Sequence, residues 1–125
     1  MHSTNARDTL ITPSADCPVA KGTIPEKPGT VATVQYALLA RAYAMTSDDL
    51  LHAAHCARGG EKSRDEFFAK PQACLRASPL VKQFGWGVHH NPEGRIALLD
   101  PESEVYAGLL ADPTVKKTPG MRSKR

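Results

Sequence analysis

Residues 74–100 read CLRASPLVKQFGWGVHHNPEGRIALLD and contain the only tryptophan of the chain. Ser78 followed by Pro79 is typical of a helix start, because the serine oxygen caps an orphan backbone N–H and proline has no N–H to leave unpaired. Gly85 suits the left-handed conformation that commonly ends a helix. The stretch therefore predicts a short helix that leads directly into a segment of alternating sequence.

The sequence NPEG at 91–94 is typical of a tight turn and predicts a β-hairpin. A three-residue loop with Gly94 as the bulge pairs Asn91 with Arg95, whereas a four-residue loop pairs His90 with Arg95. We choose the first register because it gathers the apolar residues of both strands on one face. That face holds Trp86, Val88, His90, Ile96 and Leu98, and the opposite face holds Gly87, His89, Arg95, Ala97 and Leu99.

The remaining patterns indicate short elements around this hairpin. Residues 1–7 are polar and are expected to be frayed, whereas residues 9–12 are β-branched and predict an edge strand beside the hairpin. Helices are predicted from Thr30 or Thr33 to about Ala44, from Thr46 or Ser47 to Gly59, after the Ser63 cap, after Ser78, and from Asp100 with Val105, Tyr106, Leu109 and Leu110 buried.

We therefore expect one α+β domain over residues 1–115, followed by a basic C-terminal tail at 116–125. Its small antiparallel sheet, formed by the hairpin at about 86–99 and the strand at about 9–12, is covered by several short helices. A chain of 125 residues is long enough to bury a core without disulfides or metals.

The net charge of +3 is concentrated at one end of the chain. Five of the 16 basic residues lie in the tail, so residues 1–115 carry 11 basic and 13 acidic residues. No apolar run approaches the ~20 residues that a transmembrane helix needs, and no signal peptide is recognisable. Three cysteines without a close pair fit a reducing compartment. We expect a cytoplasmic protein without a membrane partner.

Several sequence blocks together resemble a small, mainly bacterial family, domain of unknown function 6157. The resemblance runs from DTLI and DCPV near the start to the last residue, and it implies that MRSKR at 121–125 is native sequence. It implies no reaction, cofactor or catalytic residue. Its other blocks are TSDDLL at 46–51, FFAK at 67–70, CLRASPL at 74–80, FGWGVH at 84–89 and GRIAL at 94–98.

The leading functional hypothesis is a non-enzymatic binding or interaction module for an anionic small molecule or an acidic partner protein. Arginine beside a helix N-terminus is a natural seat for negative charge, because guanidinium and orphan N–H groups both favour an anion. Polar and glycine positions also cluster on the hairpin. The predicted ligand-binding residues are Arg76, Ser78, Trp86 and His89.

Two other function classes stay open. An enzyme would use Cys74 as the nucleophile and His89 as its partner, because a nearby imidazole and a helix start both lower a thiol pKa. Nucleic-acid binding would use the basic tail, since lysine and arginine neutralise phosphates whatever the base sequence. A net-negative body and few aromatic residues count against the second class.

A metal site would draw on His52, His55 and Cys56, with His89 or His90 as a further ligand. His52 and Cys56 are four residues apart, which places them on one helical face, and imidazole with thiolate suits zinc. That face points to solvent in the predicted helix, and no CxxC or HExxH motif accompanies it. We therefore predict no metal and no cofactor.

Overall fold

The computed structural model describes residues 3–123, which form four strands, five α-helices and a 3₁₀ turn at Leu75–Ala77. The strands are β1 (Thr9–Thr12), β2 (Gly87–His90), β3 (Ile96–Leu99) and β4 (Lys116–Pro119). The helices are α1 (Val31–Leu38), α2 (Ser47–Ala57), α3 (Arg64–Phe68), α4 (Pro79–Lys82) and α5 (Glu104–Ala111). The fold is a single small α+β domain, as predicted.

The hairpin has the predicted register. The Asn91 N–H donates to the Arg95 carbonyl over 2.9 Å, and the Gly94 N–H donates back to the Asn91 carbonyl over 3.0 Å. Gly94 has a φ of +81°, a value that glycine adopts without strain. His90 therefore pairs with Ile96 and Val88 pairs with Leu98, so the two predicted faces of the hairpin are confirmed.

The sheet is mixed, with strand order β3-β2-β1-β4. Strand β1 pairs antiparallel with β2, as predicted, but it is an interior strand because β4 lies parallel along its other side. The prediction of an edge strand at residues 9–12 was wrong for this reason. Residues 116–119, which open the segment that we assigned to a basic tail, are part of the sheet.

The sheet separates two apolar clusters. The larger one lies between the sheet and α1, α2 and α4; its sheet residues include Ile11, Val88 and Ile96, and its helix residues include Leu50 and Leu80. The smaller one lies between the opposite face and α5; its buried members are Leu10, Tyr106 and Val115. Because side chains alternate along a strand, consecutive residues of β1 belong to different clusters.

The helix starts that were predicted correctly are those at which a side chain caps the first turn. Thr46 and Ser63 each form a reciprocal capping box, and the hydroxyls of Thr30 and Ser78 accept backbone N–H groups at the starts of α1 and α4. Helix α1 stops earlier than predicted, at Leu38. Each confirmed start has a capping side chain that accepts a backbone N–H of the first turn.

The predicted start of α5 at Asp100 was wrong. The Asp100 carboxylate accepts the backbone N–H groups of Glu102 and Gly22, so it stabilises a turn, and the helix is capped by Ser103 instead. The buried edge of the helix also differs from the prediction. Tyr106 is buried and Leu109 half-buried, but Val105 and Leu110 are 58% and 49% exposed.

The N-terminal segment 3–5 is anchored on the start of α2, contrary to the prediction of a frayed end; residues 1–2 lie outside the described part. The Asp48 carboxylate accepts the Thr4 N–H and hydroxyl, both over 2.7 Å, and the Ser3 hydroxyl over 2.8 Å. Burial alone would raise the pKa of Asp48, but these hydrogen bonds outweigh burial and lower it. The segment is therefore fixed against the domain.

Within residues 3–123, no helix combines the length and the apolar character that crossing a membrane requires.

Candidate anion-binding cavity

A cavity of about 230 Å³ opens on the face of the sheet that α1, α2 and α4 cover, beside the larger apolar cluster. We call it the sheet cavity. Its floor includes one row across three strands, because Thr9 pairs with both His90 and Lys116. The next row contributes Ile11 and Thr118. The walls come from two loops: the N-terminal segment supplies Thr4 and Ala6, and the 3₁₀ turn with its preceding residue supplies Cys74, Leu75 and Arg76.

His90 is the most deeply buried polar residue of this cavity. Its side chain is only 1% exposed, and its Nδ1 has no hydrogen-bond partner within residues 3–123. Burial lowers the pKa of His90 to about 4. The charge of the neighbouring His89 also lowers this pKa, whereas an interaction with the Thr9 backbone partly raises it. At neutral pH the ring is therefore uncharged, and Nδ1 offers one unused hydrogen bond. A buried polar atom without a partner is unusual and favours a ligand or water at this position.

The charges around the cavity have one sign. Arg76 and Lys116 line it, and no aspartate or glutamate does so among the described residues. The Arg76 Nε donates to the Pro119 carbonyl over 2.6 Å, and the Met121 N–H donates to the Arg76 carbonyl. These two bonds hold the arginine against the end of β4. The arrangement can attract an anion and give it charged donors, a hydroxyl from Thr118 and one bond from His90.

Of the four predicted ligand-binding residues, Arg76 alone lines this cavity. Ser78 lies elsewhere, because its hydroxyl donates to Gln35 Oε1 over 2.6 Å and accepts the Leu80 N–H at the start of α4. Both interactions are structural. The serine borders a separate hollow between α1 and the 3₁₀ turn.

Trp86 also lies apart from the cavity. Its indole N–H donates to the Thr23 carbonyl over 2.9 Å, and its ring centroid is 5.7 Å from that of Tyr36. The backbone of Gly22 lies against the indole so closely that a Cβ there would be within 2.8 Å of the ring. The tryptophan therefore fixes the irregular segment 13–30 to the domain.

His89 is on the opposite face of the sheet from Arg76. Its neighbours across the strands are Leu10 and Ala97, and its Nδ1 is 2.7 Å from the Tyr43 hydroxyl. Burial lowers the pKa of His89, an effect that Asp8 partly opposes, and burial raises the pKa of Tyr43. The four predicted residues therefore do not converge. Cys74 shares a cavity with His90 instead of His89, so the predicted thiol and imidazole pair is not assembled.

The histidines of α2 have structural partners. His52 Nε2 is 2.9 Å from the Lys62 carbonyl and 3.6 Å from Cys56 Sγ, and the Lys62 N–H donates to His55 Nε2. Both rings pack near Phe67. Across residues 3–123, no group of three or more histidine, cysteine or acidic side chains is arranged to hold a metal ion.

Sequence reasoning did not assign His90, Lys116 or Thr118 to an anion-binding site. The first could have been found, because the predicted register already placed His90 on the face shared with Ile96. The other two depend on the parallel pairing of β1 and β4, a contact between the two ends of the chain for which KKTP at 116–119 gives no signal. The cavity is thus built from three segments distant in sequence.

The comparisons give a family but no activity. No curated protein and no solved structure matches the chain. The model of a family of unknown function (DUF6157) matches residues 1–125, the whole chain. The protein with this sheet cavity therefore belongs to the family of unknown function DUF6157.

Proposed function

We propose that the protein is a non-enzymatic binding module that holds a small anionic molecule in the sheet cavity. The observation that carries the proposal is the convergence of two cationic side chains with a buried, unpartnered imidazole nitrogen, in a cavity that no described acidic residue lines. Arg76 remains from the predicted site, whereas His90 takes the place of His89. An anion there would meet charged donors without a competing carboxylate.

The size of the cavity limits the ligand. Pockets for drug-sized molecules occupy roughly 300–1,000 Å³, whereas this one has about 230 Å³. Its volume therefore suits a small carboxylate or phosphate compound. One row of the floor holds Thr9 and Lys116, and the next holds Ile11 beside Thr118, so a ligand with a charged group and a short carbon skeleton fits it.

The low basicity of His90 supports binding over catalysis. A general base works best when its pKa is near the operating pH, and the pKa of His90 is about 4. Nδ1 can still donate or accept one hydrogen bond, which is sufficient to orient a bound molecule.

The test is a titration with inorganic phosphate and with citrate, followed by the NMR shifts of the backbone amides. We expect saturable shifts at Thr9, Arg76 and Thr118. Lys116→Gln should weaken binding about ten-fold or more, because a charged hydrogen bond contributes roughly 1.5–3 kcal/mol. Arg76→Gln should have at least as large an effect, since the guanidinium supplies several donors.

Lys117→Gln is the matched control. It removes the same charge from the next residue of β4, whose side chain lies on the opposite face and donates to the Asp112 carbonyl. Binding should change less than about two-fold, because the distance and solvent screen the lost charge. Equal losses in the two lysine variants, or no saturable shift with either anion at millimolar concentration, would rule out a specific site in the cavity.

Cytoplasmic localisation and nucleic-acid binding through residues 116–125 stay predictions. Deleting the whole segment would remove β4, so the nucleic-acid hypothesis is better tested by replacing Arg122, Lys124 and Arg125 with glutamine. Of these, Lys124 and Arg125 lie outside the described residues. Salt-sensitive binding to nucleic acid that disappears in this triple variant would favour that hypothesis, since released counterions make such binding salt-dependent.

A further inference from the structure

A second concave surface lies on the helix side of the domain, where three hollows adjoin at Val31, the first residue of α1. Their volumes are about 250, 160 and 280 Å³. We call this surface the Val31 groove. Apolar side chains from four parts of the chain line it, among them Pro79, Phe84, Leu51 and Phe67.

The buried amide of Gln35 provides a donor at the centre of the groove. The residue is 3% exposed, lies one turn after Val31 and lines two of the three hollows. Its Oε1 accepts the Ser78 hydroxyl, while its amide nitrogen has no hydrogen-bond partner in the described part of the chain. The amide nitrogen is therefore free to donate to a ligand that brings an acceptor, such as a peptide carbonyl.

The charges at the groove are again of one sign. Lys27 lines one hollow and Arg58 lines another, and both are exposed. Neither forms an ion pair with another described residue, and no described aspartate or glutamate lines any of the three hollows. The groove therefore presents an apolar centre between two unpaired cations, a pattern complementary to a segment of opposite charge.

We propose that the Val31 groove binds a peptide segment of another protein in which apolar side chains are flanked by aspartate or glutamate. The apolar side chains fill the hollows, a backbone carbonyl accepts from Gln35, and the acidic residues pair with Lys27 and Arg58. This follows a common mode of peptide recognition, in which pockets select side chains while a polar group fixes the backbone. The proposal is independent of anion binding in the sheet cavity.

The experiment selects peptides from a random-sequence library displayed on phage and measures the affinity of the best synthetic peptide by fluorescence anisotropy. We expect the selected sequences to share apolar residues flanked by acidic ones. Val31→Glu should weaken binding at least ten-fold, because it places a charge at the centre of the groove, while a glutamate in the first turn is compatible with the helix. Gln35→Met, which keeps the volume, should weaken binding about five- to ten-fold.

Ala37→Glu is the control within the same helix. This residue is exposed and lines none of the three hollows, so the same added charge should leave the affinity within about two-fold. A second peptide with lysine at the acidic positions should bind at least ten-fold more weakly, and the difference should shrink with salt.

Three results would overturn the proposal. The first is selected sequences without acidic enrichment, and the second is equal binding by the wild type and Val31→Glu. The third is self-association of the wild type, measured by sedimentation, that Val31→Glu abolishes; a second copy of the chain would then be the occupant. Folding of each variant is checked by its thermal unfolding, so that loss of binding is not confused with loss of structure.

Discussion

The two faces of the sheet differ in the depth of their cover. One face carries most of the buried apolar residues together with three helices, the sheet cavity and, beyond α1, the Val31 groove. The other face is covered by α5 and, at His89, by Tyr43, and it contains a small cluster around Leu10. The thicker cover of the first face leaves concave surfaces between its elements. Binding is therefore expected on the first face.

Strand β1 allows the two faces to be compared within one element, because Ile11 and Leu10 are both nearly or fully buried and point to opposite sides. We expect Ile11→Ala to reduce the free energy of unfolding by about 4 kcal/mol and Leu10→Ala by about 2, within the usual range for such truncations. The larger core holds its shape around a void, whereas α5 can move onto a smaller side chain. Urea denaturation measures both, and a larger loss for Leu10→Ala would contradict the comparison.

The two adjacent histidines, His89 and His90, should differ in how strongly each makes the free energy of unfolding depend on pH. This is the next largest expected difference. The pKa of His90 is about 4 in the folded protein, against an ordinary value of 6.5. The unfolded chain takes up this proton first as the pH falls, so protonation favours unfolding. The contribution of the uncharged His90 ring to the free energy of unfolding is fully present above pH 6.5 and is lost as the pH drops towards 4. Since each pKa unit corresponds to 1.36 kcal/mol, the loss is about 3 kcal/mol.

Chemical denaturation at several pH values measures this slope. His90→Gln should remove most of the dependence between pH 6.5 and 4, and His89→Gln should remove less, because burial lowers the pKa of His89 without holding its ring as deeply. The carboxylates of Asp48 and Asp49 have lowered pKa values and titrate mainly below this window. An unchanged slope in His90→Gln would show that the buried ring is not the source.

The stretch 74–100 allowed much of the local structure to be predicted. Ser78 with Pro79 fixed a helix start, and NPEG with alternating apolar residues fixed the hairpin register, because both signals act within a few residues. The α5 cap was misplaced because Asp100 and Ser103 are both capping residues, and Gly22, remote in sequence, supplies a partner that holds Asp100 in a turn. The residues close to them in sequence therefore do not show whether Asp100 or Ser103 caps the helix.

The candidate site was less predictable than the fold. The predicted Arg76 lines the candidate cavity, but His89 was chosen over His90 although the register put His90 on the apolar face. Lys116 enters the cavity through a parallel pairing between the ends of the chain, and such pairing has no local turn signal. Sites that combine distant segments are missed when sequence reasoning extends over one stretch only.

The two serines that cap α4 and α5 give the smallest expected difference in stability between the two faces of the sheet. Ser78 caps α4 in a buried setting and donates to Gln35, whereas Ser103 caps α5 in a half-buried setting. Loss of an ordinary cap costs about 1 kcal/mol, which we expect for Ser103→Ala. Ser78→Ala should cost about 2 kcal/mol, because it also leaves the Gln35 oxygen buried without a donor. Urea denaturation of the two variants gives the difference. Equal losses would mean that the Gln35 amide finds another partner. The same measurement on Gln35→Met in the Ser78→Ala background would then separate the loss of the helix cap from the loss of the hydrogen bond between Ser78 and Gln35.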